Sequence, residues 1–208
     1  MAPQPHRLTV TLRDGARITL RPLAGNDRPR VAASFARLSE ESRYRRFFTT
    51  KNELSEADLD RLLDVDHRDH EAIVAIDPET DQLVGVARYV RLTEDGEVAE
   101  VAVTVADDWQ GRGLGRALLD RLTYRARQEG VRYFSALVQS DNHASLGLVA
   151  AFGSTRPVPD AGQSELLIEL PPKRGIGVRL ADALHAAAAG ALVPAQTLVN
   201  RVTRAEDS

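Results

Sequence analysis

The run from Val98 to Leu119, VAEVAVTVADDWQGRGLGRALL, constrains this chain more than any other. An apolar strand pattern passes through a loop with Gly111, Gly113 and Gly115, then directly into a helical pattern. Such a segment has to build a strand, a tight turn and a helix in succession. At that turn, backbone N–H groups gather at the positive end of a helix dipole, which makes an anion cradle suited to a pyrophosphate. Glu100 lies inside the strand, an element that seldom carries a carboxylate. A phosphate cradle beside a lone carboxylate points to a cofactor-dependent enzyme with a general base.

The flanking patterns set the fold class. Leu8–Leu12 and Ile18–Arg21 alternate around Asp14-Gly15, a hairpin signal. Asn26-Asp27 is expected to cap a helix reaching about Leu38, with Val31, Phe35 and Leu38 on one face. Ser55 and Asp58 form a capping box for a short helix carrying Leu59, Leu62 and Leu63. Ala72–Ile76, Gln82–Arg91 and Glu97–Val105 read as strands, separated by turns at Asp77-Pro78-Glu79 and Asp95-Gly96. After the glycine loop, a helix from about Gly115 to Glu129 buries Leu118, Leu122 and Ala126 and stops at Gly130. Val131–Val138 is the next strand. A short helix capped by Asp141 or Asn142 ends near Phe152-Gly153, and Glu165–Leu170 is the last strand. This order gives an α+β fold: a mixed, mainly antiparallel central sheet flanked by helices, with one parallel crossover. Residues 8–172 form that domain. Residues 173–208 are alanine-rich and helical in pattern, with an apolar face through Leu180, Leu184, Ala188 and Leu192. This C-terminal appendage can pack on its own domain, close a homodimer or dock a partner, and the sequence does not choose.

Composition removes several classes. The net charge of −3 argues against a generic nucleic-acid binder. The absence of cysteine excludes disulfides, thiolate catalysis and cysteine-ligated zinc. No run approaches the roughly 18 apolar residues of a membrane span. The first seven residues lack an apolar signal core, so a cytoplasmic location is expected.

Three readings compete for the glycine loop. A P-loop needs a lysine after the glycines, and none follows. A dinucleotide fold needs Gly-x-Gly-x-x-Gly in an early parallel unit, whereas here Gly-x-Gly-x-Gly follows a meander. The third is the acyl-CoA pattern Gln/Arg-x-x-Gly-x-Gly/Ala, matched by Gln110, Gly113 and Gly115. On these residues the chain resembles the GNAT superfamily of N-acyltransferases, from about Thr9 to Leu170. The resemblance implies acetyl-CoA as co-substrate and no metal. Its pyrophosphate would meet N–H groups from Arg112 through Leu114 and Gly115 to Ala117, with the glycines removing obstructing Cβ atoms. Arg112 and Arg116 would add positive charge, or stand as solvated surface. The resemblance also implies that the preceding strand splays from its parallel neighbour, so that Val103 and Val105 offer backbone groups to the pantetheine arm. Asn142 matches a polar residue that contacts the cofactor in that family, or serves only as a helix cap.

A lysine ammonium has a pKa of about 10.4, so neutralising it at pH 7 costs about 4.6 kcal/mol. A carboxylate at the acyl carbon, directly or through water, lowers that barrier. Glu100 is the candidate base, with a charged strand end beside Glu97 as the plain alternative. By alternation, Glu100, Ala102 and Thr104 share one small-sided face, and Val101, Val103 and Val105 share the other. The tyrosine that many family members use as a general acid is replaced by Val149. Tyr44, Tyr89, Tyr124 and Tyr133 lie elsewhere, and Ser145 is a weak substitute. A thiolate with a pKa near 8.5 can leave with solvent protonation alone.

Residues 37–48, 64–70, 85–90 and 99–110 are similar to the GNAT domain of bacterial protein lysine acetyltransferases, which modify acyl-CoA synthetases. In that group the glutamate aligned with Glu100 is the proposed base, and leucine commonly stands at the place of Val149. The resemblance implies a protein lysine acceptor, an acyl-CoA synthetase among the candidates, with a small primary amine second. A fused nucleotide-binding domain, frequent in that group, has no counterpart in this sequence, so nucleotide regulation is not expected. A non-catalytic acyl-CoA sensor is the competing class. His67 and His70 with Asp64, Asp66 and Asp69 suggest either a metal site or a hydrogen-bonded turn. The turn is favoured, because the helical i, i+4 ligand pairing is missing. In Arg43–Phe48, Tyr44, Phe47 and Phe48 are expected to pack under the sheet with the arginines in solvent.

Overall fold

The computed structural model describes residues 7–47, 52–93, 96–139, 146–148, 155–160 and 163–170. Eight strands form one sheet in the order β1-β2-β3-β4-β5-β6-β8-β7. The strands are β1 Leu8–Thr11, β2 Arg17–Pro22, β3 His70–Ile76, β4 Leu83–Arg91, β5 Val98–Val105, β6 Tyr133–Gln139, β7 Thr155–Asp160 and β8 Gln163–Glu169. Every neighbouring pair is antiparallel except β5 with β6. The helices are α1 Arg28–Arg37, α2 Glu40–Phe47, α3 Glu56–Leu63 and α4 Leu114–Gln128. The mixed sheet with one crossover matches the expected α+β class.

Strand parity divides the core. Odd-numbered residues of β4 and β5, including Ala87, Tyr89, Val101, Val103 and Val105, meet Leu114, Leu118 and Leu122 of α4 in the larger cluster. Gly85 lets the two layers close, since a Cβ there would stand 2.9 Å from Leu118 Cδ1. The opposite face buries Ala72, Val74 and Ile76 of β3 with Leu23 and Leu83, against Val31 of α1 and Leu63 of α3. Ser55 caps α3 as expected, its hydroxyl accepting from the Asp58 N–H while the Asp58 carboxylate accepts from the Ser55 N–H.

Three expectations are corrected. Asp27 holds the N-cap position of α1, but its side chain does not cap the helix. Its fully buried carboxylate turns back to the Ala24 N–H at 3.0 Å and the Arg21 guanidinium at 2.5 Å, because a buried charge needs those partners more than the helix end does. The expected last strand is β8, but a further strand, β7, precedes it and forms the sheet edge. Pro157 and Pro159 conceal it in the sequence, yet an edge strand tolerates prolines whose missing N–H would face away from the sheet. The Arg43–Phe48 run lies largely in helix α2, where Tyr44 is 46% exposed rather than packed. The side chain of Phe47, Phe48, part of the Asp95-Gly96 turn and the appendage at 173–208 lie outside the described residues.

Candidate functional site

A fork between β5 and β6 organises the site. β5 pairs with β4 from Ala99 to Val105, with no break in register that would reverse its faces. Its pairing with β6 covers only Val98–Glu100 against Tyr133–Ser135. β6 meanwhile continues along β8 to Gln139. Leu92 N–H bonds Val98 C=O and Ala106 N–H bonds Val84 C=O, so even-numbered positions of β5 serve the β4 ladder. The backbone groups of Val101, Val103 and Val105 therefore turn toward the fork. Val103 and Val105 stand where the resemblance implied an open strand edge. Gln110 Nε2 donates to Val105 C=O at 3.3 Å and to Asp107 Oδ1 at 3.0 Å, tying the strand end to the loop.

The glycine loop lies at the mouth of that fork. A short 3₁₀ turn at Asp107–Trp109 leads to Gly111 and Gly113, with φ of 76° and 91°. These left-handed conformations, more than a lack of room for Cβ, are what require glycine there. Gly113 is the N-cap of α4 and is served by no capping side chain. Helix geometry leaves the N–H groups of Leu114 and Gly115 without intrahelical acceptors. Ala117 is a correction: its N–H bonds Gly113 C=O at 3.1 Å, so it leaves the expected donor set. Arg112 and Arg116 both have partners within the chain. Arg112 stands 4.6 Å over the Trp109 ring and 3.3 Å from the Asp14 carboxylate, and Arg116 pairs with Asp120 at 3.0 Å. The open N–H groups and left-handed glycines fit a pyrophosphate, but the loop's own guanidiniums already face carboxylates.

Glu100 occupies the last position at which β5 is paired on both sides, opposite Val90 of β4 and Ser135 of β6. It is half-buried, Ser135 is buried and Val90 is 43% exposed. Ala102 and Thr104 follow on the same face. Further along that face is a cavity of about 60 Å³ lined by Leu23, Val31, Phe35, Val86, Arg88 and Thr104. Within it the buried Thr104 hydroxyl has no hydrogen-bond partner among the described residues. This cavity is assembled from α1, β4 and β5, and no local sequence signal announces it.

The histidine segment forms a turn. Asp66 Oδ1 accepts from the N–H groups of Arg68, Asp69 and His70. His67 adopts φ of 61° and sets Nδ1 2.8 Å from the buried Glu71 carboxylate. Burial, then the nearby Arg88 cation, push the His70 pKa down to about 4. Among the described residues, no group of three or more His, Asp or Glu side chains could hold a metal ion. Tyr89 is buried and donates to Arg68 C=O at 2.7 Å, closing the same turn, while Tyr124 is 45% exposed. Asn142, Ser145 and Val149 lie outside the described residues. No helix among the described residues is long and apolar enough to cross a membrane.

The sequence pattern of the acetyltransferase (GNAT) family matches residues 36–153. The chain is 39% identical over 145 residues to acetyltransferase PA5475 of Pseudomonas aeruginosa, covering 69% of this chain and 77% of that protein. It is 33% identical over 165 residues to acetyltransferase Pat of Mycolicibacterium smegmatis, covering 79% of this chain and 49% of that protein. The chain thus spans about half the length of that relative. Among solved structures, the GNAT domain of S. lividans PAT superposes with a TM-score of 0.73 at 30% identity, covering 79% of this chain and 97% of that domain.

Proposed function

Because this chain belongs to the acetyltransferase (GNAT) family, and is thereby an acetyl-CoA-dependent N-acyltransferase, we propose that it transfers the acetyl group to a protein lysine by direct attack in a ternary complex. The observation that carries this reading is the fork. One opening presents, for the pantetheine arm, a β5 edge at Val103 and the Val105 N–H that no described strand pairs, the first N–H groups of α4 for the pyrophosphate, and Glu100 at its inner end.

Glu100 takes a proton from the acceptor ammonium, directly or through a water. The neutral amine attacks the thioester carbonyl, the new C–N bond forms, and the C–S bond breaks. The acylated nitrogen releases its second proton to solvent as the amide forms, the thiolate takes up a proton from solvent, and Glu100 returns its own proton to solvent. Val90, exposed and directly opposite Glu100, offers apolar surface to the aliphatic stem of a lysine. The similarity of residues 37–48, 64–70, 85–90 and 99–110 to bacterial protein lysine acetyltransferases supports the same acceptor. Acyl-CoA synthetases are the first proteins to test.

The test is acetyl-CoA turnover against purified acyl-CoA synthetases and a panel of small amines, with calorimetry of CoA binding alongside. The reading requires turnover on a protein lysine and its loss in Glu100→Gln with CoA affinity kept. A small primary amine is the second reading, favoured by the compact cavity beside Thr104 on the Glu100 face. Higher kcat/KM on a small amine than on any protein selects it. Tight CoA binding without turnover on any acceptor would point instead to an acyl-CoA sensor.

A further inference from the structure

The tip of the β1–β2 hairpin does not stand free in solvent. Its turn is closed by Leu12 N–H to Ala16 C=O at 2.8 Å and by Gly15 N–H to Leu12 C=O at 3.1 Å. It rests on the glycine loop. Arg13 N–H donates to Arg112 C=O at 3.3 Å, and the Asp14 carboxylate pairs with the Arg112 guanidinium. The Arg13 side chain then runs past the N-cap of α4. Its Cγ and Nε lie 3.7 Å, and its Cδ 3.8 Å, from the place a Cβ on Gly113 would occupy.

A pyrophosphate brings two negative charges to this loop. Arg112 is matched by Asp14, and Arg116 by Asp120. With both pairs made, the loop offers only the partial charge of the helix end, about half a unit. Arg13 is exposed and has no carboxylate within ion-pair distance among the described residues. A guanidinium presents a planar fork of donors that fits paired phosphate oxygens, and Arg13 already lies beside the N–H groups that would hold the other oxygens.

We propose that Arg13, contributed by the N-terminal hairpin, is the cation that binds the CoA pyrophosphate at the α4 N-terminus. The inference rests on the acetyl-CoA reading above and adds a binding residue from outside the glycine motif. Asp14 has the complementary part, holding Arg112 aside so that the hairpin and loop keep a fixed spacing.

Isothermal titration calorimetry with CoA and with dephospho-CoA tests it on the wild-type chain, Arg13→Met, Arg13→Lys and Arg17→Gln. Arg13→Met keeps the apolar stem and removes the charge. It should weaken both ligands by about five- to tenfold at low salt, and the deficit should shrink at high salt. Arg13→Lys should recover most of the loss. Arg17→Gln, exposed on the same hairpin, should stay within about twofold of wild type. Arg13→Met binding as tightly as wild type overturns the proposal. So does a loss confined to CoA, which would move the contact to the 3′-phosphate. A deficit that ignores salt and is not recovered by lysine also overturns it, by reducing Arg13 to a brace. Failure of the wild-type chain to bind CoA at all is a separate result. It removes the acetyl-CoA reading first and this inference with it.

Discussion

The two halves of the β5–α4–β6 crossover treat their hydrogen-bonding groups in opposite ways. At the closed half, β5 and β6 are paired over Val98–Glu100, and Arg132 N–H and Tyr133 N–H both bond Glu97 C=O. The C-terminus of α4 ends there with Gly130 N–H on Arg127 C=O and Val131 N–H on Ala126 C=O, the two bonds of a Schellman cap. Arg91 donates to the carbonyls of Gly96 and Glu129, Arg127 to Leu170 C=O, and Arg125 to the buried Glu71 carboxylate. At the open half the strands part, and α4 begins on a left-handed glycine with no side-chain cap. A helix can leave one end bare only if the other end and its flanks hold it in place. Glu100 stands on the seam between the halves, where a proton acceptor has a rigid base and an open face.

The largest effect follows from that position. Glu100→Gln should lower kcat by about 10²- to 10⁴-fold, the usual contribution of a general base. CoA affinity should remain within about twofold, because the glycine loop and the fork are untouched. Rapid-quench turnover beside calorimetry separates the two. A kcat within tenfold of wild type would return Glu100 to a charged strand end.

Next comes the anchor of the closed half. Glu71 is fully buried and meets Arg125 at 3.1 Å and His67 Nδ1 at 2.8 Å. Glu71→Ala takes the acceptor from the buried Ala72 N–H and the carboxylate from His67 and Arg125, the latter keeping Glu129, and should cost about 2 kcal/mol, a fall in Tm of about 4–8 °C for a chain of this size. Below the melting transition, CoA affinity should hold. Loss of CoA binding in a folded Glu71→Ala would mean that the halves are coupled rather than divided.

The parts of this division that are legible in the sequence are local. Apolar alternation gave β5, the glycines gave the turn, and a 3.6-residue period ending at Gly130 gave α4 within a residue at each end. The seam is not legible from composition or periodicity, because inter-strand register is set by pairings that no short window contains. The open fork was implied by resemblance to a family, not by the valines themselves. The pairing of Arg112 with Asp14 joins residues distant in sequence, so the loop's arginines read as free charge until the hairpin is seen resting on it. β7 was hidden by its two prolines, whose meaning depends on an edge position that only the assembled sheet reveals.

The closed half should also be the acid-sensitive one. Burial and Arg88 hold His70 at about 4, well below the roughly 6.5 of an unfolded histidine. Between those values the unfolded chain binds a proton that the folded chain does not. Stability from this site is therefore complete above about pH 6.5 and declines as pH falls toward 4. Thermal melts at about pH 7 and about pH 5 should show a larger Tm loss for the wild type than for His70→Gln. Equal losses would assign the acid sensitivity to other groups.

The smallest expected effect is also the sharpest comparison, since it places one perturbation at each end of the same helix. Gly113 and Gly130 have φ of 91° and 89°, so alanine is strained to the same degree at both. A Cβ at Gly130 meets nothing within 4 Å, and one at Gly113 meets only the Arg13 side chain at ordinary contact distance. Each substitution should therefore cost about 1 kcal/mol, or about 2–4 °C in Tm. Their effects on ligand binding should differ. Gly130→Ala disturbs a cap already closed by the chain itself and should leave CoA affinity unchanged. Gly113→Ala strains the first residue of the bare helix end and puts a methyl group against the Arg13 side chain, so CoA should bind about tenfold more weakly. Equal shifts in CoA affinity for the two variants would show that strain alone governs binding, and that the open end of α4 has no privileged role.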